Sequence, residues 1–119
     1  MPKIQGGNRT PSLVKTASYT LTSDDLGKTL TNQGAAGTIT VTLPAAEVGM
    51  KFRFYLNEAQ ELRIDPNGTE TIALPSTGAQ GAAGKYLVAD AIGEWVDIEC
   101  LVAGTWDCLG FAGTWTAEG

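Results

Sequence analysis

Thr38-Ile39-Thr40-Val41-Thr42-Leu43 alternates without a break, with Ile39, Val41 and Leu43 on one side and three threonines on the other. A period of two puts every second side chain on the same face, so this hexapeptide reads as a strand with one buried face. Pro44 ends it, because proline has no N–H to give a ladder. Lys51-Phe52-Arg53-Phe54-Tyr55-Leu56 repeats the pattern with Phe52 and Phe54 inward and Lys51 and Arg53 outward, and Glu61-Leu62-Arg63-Ile64-Asp65 repeats it again. Asp65-Pro66-Asn67-Gly68 carries the residues of a tight hairpin turn and predicts that 62–64 pairs with Thr69-Glu70-Thr71-Ile72. Upstream, Tyr19 and Leu21 mark the start of ordered structure near Ala17, and Ser23-Asp24-Asp25-Leu26-Gly27 reads as a turn, with one helical turn capped by Ser23.

Downstream, Pro75 to Gly84 holds four Gly or Pro and three Ala in ten residues, the composition of an irregular surface loop. The last third starts at Lys85-Tyr86-Leu87-Val88-Ala89 and is expected to be a β-meander. It contains the chain's three tryptophans, each in a Gly-x-Trp unit: Gly93-Glu94-Trp95, Gly104-Thr105-Trp106 and Gly113-Thr114-Trp115. These units mark places where turns hand over to strands. A three-residue turn Ala103-Gly104-Thr105 would pair Val102 with Trp106 and Cys100 with Cys108, keeping Val96, Ile98, Cys100, Val102, Trp106 and Cys108 on one face. Trp106 is therefore expected in the core. Trp95 has the opposite parity to Val96 and Trp115 lies near the C-terminus, so both are expected at subunit interfaces. The two cysteines are read as reduced core residues, although cross-strand neighbours could form a disulfide.

No segment of ten or more residues has a helical period. Short strands with turn signals every 8 to 12 residues predict an all-β domain, a small antiparallel β-barrel or sandwich over residues 17–119, preceded by an extended arm over 1–16. At 119 residues the chain has the size of one domain, and its apolar content is rich in Ala and diluted by 15 Gly. So modest a core favours an oligomer. The net charge is −5, but residues 1–16 hold Lys3, Arg9 and Lys15 with no acid, so that segment is +3 and the remainder −8. A basic arm on an acidic body disfavours general nucleic-acid binding, where phosphate neutralisation dominates. There is no apolar run long enough for a transmembrane helix and no signal-peptide pattern, and synthesis in a cytoplasm is the expectation.

Chemistry finds little purchase. Histidine is absent, which removes Ser-His-Asp and Cys-His arrangements and the commonest metal ligand. Asp97, Glu99 and Asp107 could in principle form a glycosidase-like carboxylate pair. They alternate with Val96, Ile98 and Cys100, however, as the solvated face of a strand requires. Asp65-Pro66-Asn67-Gly68 has only a fragment of a calcium loop. No catalytic, cofactor or metal site is expected.

Several segments resemble small virion proteins of tailed bacteriophages: Ala17-Ser18-Tyr19-Thr20-Leu21-Thr22 with Asp25-Leu26-Gly27-Lys28, Thr40-Val41-Thr42-Leu43-Pro44-Ala45-Ala46, 62–72, Gly93-Glu94-Trp95 and Gly113-Thr114-Trp115. The resemblance covers about residues 17–117 and takes in head decoration (cement) proteins and domains of head and tail fibres, which are β-rich and commonly trimeric. It implies a homotrimer on the capsid exterior that bridges major capsid subunits, with no enzymatic activity, membrane or nucleic-acid partner. The arm would contact the shell through Lys3, Arg9 and Lys15 by charge and through Ile4, Leu13 and Val14 by apolar anchoring. A fibre module that stacks a host glycan on Trp95, Trp106 or Trp115 is the alternative it implies.

Overall fold

The computed structural model describes residues 11–118, which form strands and turns and no α-helix. The alternating runs are strands, and they are laid down as a flattened coil. β1 (Ser12–Val14), β3 (Thr29–Thr31) and β5 (Lys51–Tyr55) lie side by side in one sheet. β2 (Tyr19–Thr20), β4 (Ile39–Thr42) and β6 (Leu62–Asp65) lie side by side in the other. Each circuit of the chain adds one strand to each sheet, so neighbours run parallel. Leu13 lies beside Leu30 and Leu30 beside Phe54, while Tyr19 lies beside Val41 and Val41 beside Ile64.

The chain then turns back on its own coil. β7 (Thr71–Ile72) pairs parallel with β10 (Thr105–Ala112), which forms an antiparallel hairpin with β9 (Trp95–Glu99), and β9 lies antiparallel to β5. In the other sheet, β8 (Leu87–Ala89) pairs antiparallel with β6, and β11 (Thr116–Ala117) with β8. The orders are β1-β3-β5-β9-β10-β7 and β11-β8-β6-β4-β2, two open mixed sheets rather than a closed barrel. Both contribute to one core, in which Val41, Leu43, Phe54, Leu56, Leu62, Ile64, Val96 and Trp106 have no exposed surface.

The all-β expectation holds, and its antiparallel form needs correction: five of the nine strand pairings among the described residues are parallel. Alternation reports that one face is buried and says nothing about the direction of the neighbour. The expected hairpin at Asp65-Pro66-Asn67-Gly68 fails for a related reason. β6 is flanked on both edges by β4 and β8, so the chain leaves the sheet at this turn and places β7 in the opposite one. Residues 12–14, expected within the arm, form β1 and pair with β3, and residues 1–10 of the expected arm lie outside the described residues.

A coil crosses repeatedly from sheet to sheet, and backbone groups in the crossings need partners of their own. Asn32, with no exposed surface, supplies them after β3. Its Oδ1 accepts the N–H groups of Asn57 (2.8 Å) and Glu58 (3.0 Å), and its Nδ2 reaches the carbonyls of Glu58 and Gln60 (both 3.4 Å). At the crossing from β2 to β3 a 3-10 turn, Ser23–Asp25, is capped by Thr22 rather than Ser23. The buried Asp25 carboxylate accepts from Thr22 N and from the Tyr19 hydroxyl, each at 3.0 Å.

Sheet edges are blunted. The outer side of β7 is covered by the chain's own 79–84 loop, where Gly81 N–H donates to the Ile72 carbonyl and Gly84 N–H to that of Glu70, both at 2.9 Å. β1 is three residues long between Pro11 and Lys15, while β2 and β11 are two residues each. Short edges bounded by proline and lysine resist pairing with another chain.

Replacing Asn32 by Leu leaves the Asn57 and Glu58 N–H groups without their acceptor, at about 1–3 kcal/mol for each buried donor. The variant is expected to lose about 3 kcal/mol of unfolding free energy in urea titration, and a loss below about 1 kcal/mol contradicts the role given to Asn32.

Candidate interaction surface

The outer face of the six-stranded sheet is built by register. Opposed residues share a face, so the pairings sort its outward side chains into rows that cross the strands. One row runs Val14, Thr31, Tyr55, Trp95, Ala112 and is mostly apolar. The next runs Ser12, Thr29, Arg53, Asp97, Gly110 and is polar. A third, Lys51, Glu99, Asp107, is charged.

Charges on this face are matched across strands. The Arg53 guanidinium is bonded through Nε to Asp97 Oδ1 and through Nη2 to Asp97 Oδ2 at 2.7 Å, a bidentate pair. Those hydrogen bonds and the Asp97 charge push the Arg53 pKa above its ordinary value. Lys51 Nζ lies 4.0 Å from Glu99, and Asp107 accepts from Gln80 Nε2 at 3.1 Å. The three acids considered for catalysis are thus on the outer strand face and already engaged. Arg53 also lies over the Trp95 ring, 5.3 Å from its centroid. Beside them is a shallow depression of about 380 Å³ floored by β5 and β9 and bordered by Gly27, Thr29 and Leu109. A β-bulge between Cys108 and Gly110 resets the register of β10 here.

The Gly-x-Trp units interlock. Gly93, Gly104 and Gly113 all have left-handed φ values, +92°, +84° and +89°, which a side chain would strain. Gly113 needs its missing side chain twice over, since the Glu94 carboxylate occupies the space a Cβ would take. Glu94 Oε1 accepts from Asp90 N (3.2 Å) and Ala91 N (2.9 Å), and its Oε2 from Thr114 N (2.7 Å). The first unit therefore ties the turn before β9 to the turn before β11. Trp115 Nε1 donates to the carbonyls of Trp95 (3.1 Å) and Ala112 (3.3 Å), closing the same joint from the other side.

Trp106 is fully buried as expected, 5.7 Å from Phe52 between ring centroids. Trp115 corrects the expectation that a neighbouring subunit is needed to cover it: it is 4 % exposed within one chain. Trp95 is half-buried on the outer face. The Cys100–Cys108 pairing also needs correction, since Cys108 lies opposite Ile98 and Val102 is 64 % exposed. The loop is longer than three residues because Cys100 N donates to Met50 O (2.9 Å) and Gly104 N to Ala46 O (3.1 Å), which binds it to the 46–50 loop. A slip of two residues preserves parity, so Trp106 still faces inward. Both thiols are free, and burial pushes both pKa values up.

Of the arm residues, Lys3, Ile4 and Arg9 lie outside the described residues. Leu13 packs against the core, Val14 is 55 % exposed, and Lys15 Nζ sits 3.7 Å from the centre of the Tyr19 ring. Among the described residues no three His, Cys, Asp or Glu side chains gather as metal ligands, and no helix is long and apolar enough to cross a membrane. Sequence reasoning missed Arg53 and Tyr55 as partners of Trp95. A signal was present, because Lys51-x-Arg53 is the antiparallel charge complement of Asp97-x-Glu99. No protein-family model matches the chain, and no curated protein matches it.

Two measurements check this face. Acrylamide is expected to quench one tryptophan of three, and Trp95→Phe to remove the accessible fraction; quenching of two or more contradicts the burial of Trp106 and Trp115. A raised thiol pKa leaves less thiolate at a given pH, so alkylation of the native protein at pH 8 should run slower than of the unfolded chain and quicken as pH rises. Equal rates contradict the burial of Cys100 and the partial burial of Cys108.

Proposed function

We propose that this chain is a bacteriophage head decoration protein that binds the capsid exterior as a trimer and bridges major capsid subunits. The observation that carries this function is the joining of a basic N-terminal segment to an exposed edge strand, β1, of an acidic all-β body whose charged face is internally paired. Such a body offers the shell a soluble outer surface, and the segment offers charge complementarity to an acidic partner. Lys3, Arg9 and Ile4 remain its contact residues. Leu13 instead belongs to the body, because it packs against the core.

Blunted edges direct association away from strand pairing and towards loops and faces. Val48, Leu101 and Val102 are exposed at the joined 46–50 and 100–104 loops and are the aliphatic contacts proposed between subunits of the trimer. Three arms on one trimer would bind by multivalency, so modest single contacts would suffice to cement the shell. The fibre alternative loses two of its three stacking residues, since Trp106 and Trp115 are buried.

Deleting residues 2–10, which spares β1, tests the arm. The truncated protein is expected to keep its cooperative unfolding and to lose binding to capsids stripped of decoration, and full-length binding should weaken as salt rises. Undiminished capsid binding by the truncated protein contradicts the proposal.

A further inference from the structure

We propose that Asn67 is a site of spontaneous covalent modification, where the side-chain amide is lost through a cyclic imide and the turn it begins becomes aspartyl or isoaspartyl chain. The proposal goes beyond capsid cementing and does not depend on it. Such a reaction requires an accessible asparagine amide, a following main-chain nitrogen free to attack it, and no side chain in the way. Asn67, Gly68 and Thr69 are all exposed. Glu70 N donates to the Asn67 carbonyl at 2.9 Å, so 67–70 is a closed turn with Asn67 in first place. Gly68 has a φ of +54° and Thr69 is not left-handed, which makes the turn type II′. The N–H of the second residue takes no part in closing such a turn. Among the described residues no backbone acceptor engages that of Gly68, and glycine leaves its nitrogen unshielded.

The other asparagines lack this combination. Asn32 is buried with its amide engaged by backbone groups, and Gln33 follows it. Asn57 accepts from the Thr31 hydroxyl through Oδ1, and Glu58 follows it. Asn8 lies outside the described residues and precedes the long side chain of Arg9. The Gly68 nitrogen gives its proton to solvent base and attacks Asn67 Cγ. A bond forms between that nitrogen and Cγ, the Cγ–Nδ2 bond breaks, and the amide takes a proton from water and leaves as ammonia. Water then opens the imide. Attack at Cγ gives aspartate, while attack at the main-chain carbonyl carbon gives isoaspartate, in which the chain runs through Cβ and Cγ.

Both products add one negative charge to a chain already at −5. Only isoaspartate alters the main chain: the carbonyl that accepted from Glu70 N becomes a free carboxylate, and a methylene enters the backbone. That turn carries neighbours. The Glu70 carbonyl accepts from Gly84 N and the Glu70 carboxylate from Ala46 N, both at 2.9 Å. Gly84 packs so closely on the Gly68 carbonyl that a Cβ there would stand 2.9 Å from its oxygen. The 79–84 loop, which covers the outer side of β7, is thus seated on residues 68–70. Lengthening the main chain at Asn67 moves that seat, so the isoaspartyl form loosens the cover and lays the edge of β7 open to another strand. The aspartyl form keeps the main chain and the cover.

The test incubates the folded full-length protein at pH 8 and maps its tryptic peptides by mass spectrometry, with isoaspartyl methyltransferase as the reagent that marks isoaspartate. Asn32, Asn57 and Asn67 fall in separate peptides. Aspartate and isoaspartate are expected to accumulate at position 67, faster as pH rises, while Asn32 and Asn57 stay intact. Asn67→Gln, whose side chain remains in solvent, is expected to lose the mark. No conversion at Asn67, or equal conversion at Asn32 and Asn57, overturns the proposal. Hydrogen exchange then follows the Gly81 and Gly84 amides. Both are expected to lose protection in the isoaspartyl fraction and to keep it in Asn67→Asp, which carries the charge without the added methylene. Unchanged protection in the isoaspartyl fraction, or equal loss in Asn67→Asp, overturns the link between this turn and the edge of β7.

Discussion

The alternation of successive strands between two sheets is the constraint on which the rest of this molecule depends. Because β1 to β6 are dealt out in turn, neither sheet is finished until the chain has completed several circuits. The longer strands, β4, β5, β6 and β9, bury alternate side chains, and the small apolar set of a Gly- and Ala-rich chain becomes one continuous core. Parallel neighbours are spaced far apart in sequence, so most packing is non-local, and the crossings between sheets must be fixed individually. Asn32 and Asp25 fix two of them, both buried: Asn32 through its amide oxygen and nitrogen to backbone groups, and Asp25 through Oδ2, which accepts from the Thr22 N–H and the Tyr19 hydroxyl.

The second half of the chain completes what the coil leaves open. β9 and β8 cover the last strands of the two parallel ladders in antiparallel fashion, and the 79–84 loop closes the edge beyond β7. Glu94 and Trp115 then tie the closing turns together. Among the described residues, the exposed large apolar side chains lie in the loops, as Val48, Leu101 and Val102 do, and on the outer side of β10, as Leu109 does. The bridging role proposed for this scaffold would be carried by such surfaces.

Strand positions were legible because Ile39, Val41, Phe52, Phe54, Leu62 and Ile64 keep a strict period of two, and burial enforces that period whatever the partner strand does. Strand direction was not legible, since the same period serves parallel and antiparallel neighbours when only one face is buried. β1, β3 and β11 carried too few residues to declare themselves. Trp106 was placed correctly because its parity survived an error of two residues in register, whereas Trp115 was misplaced because the joint that buries it is built by Glu94 and the Trp95 carbonyl, far away in sequence. The Arg53–Asp97–Trp95 grouping needed the β5–β9 pairing, which only the charge complement of the two strands foreshadowed.

The most direct measurement of the proposed capsid role is whether, and where, the protein sits on the virion. Immunogold labelling of intact virions with antibody to this chain, viewed by electron microscopy, should decorate the head evenly, as a protein bridging capsid subunits requires. Label confined to the tail or its fibres would contradict the assignment to the capsid exterior.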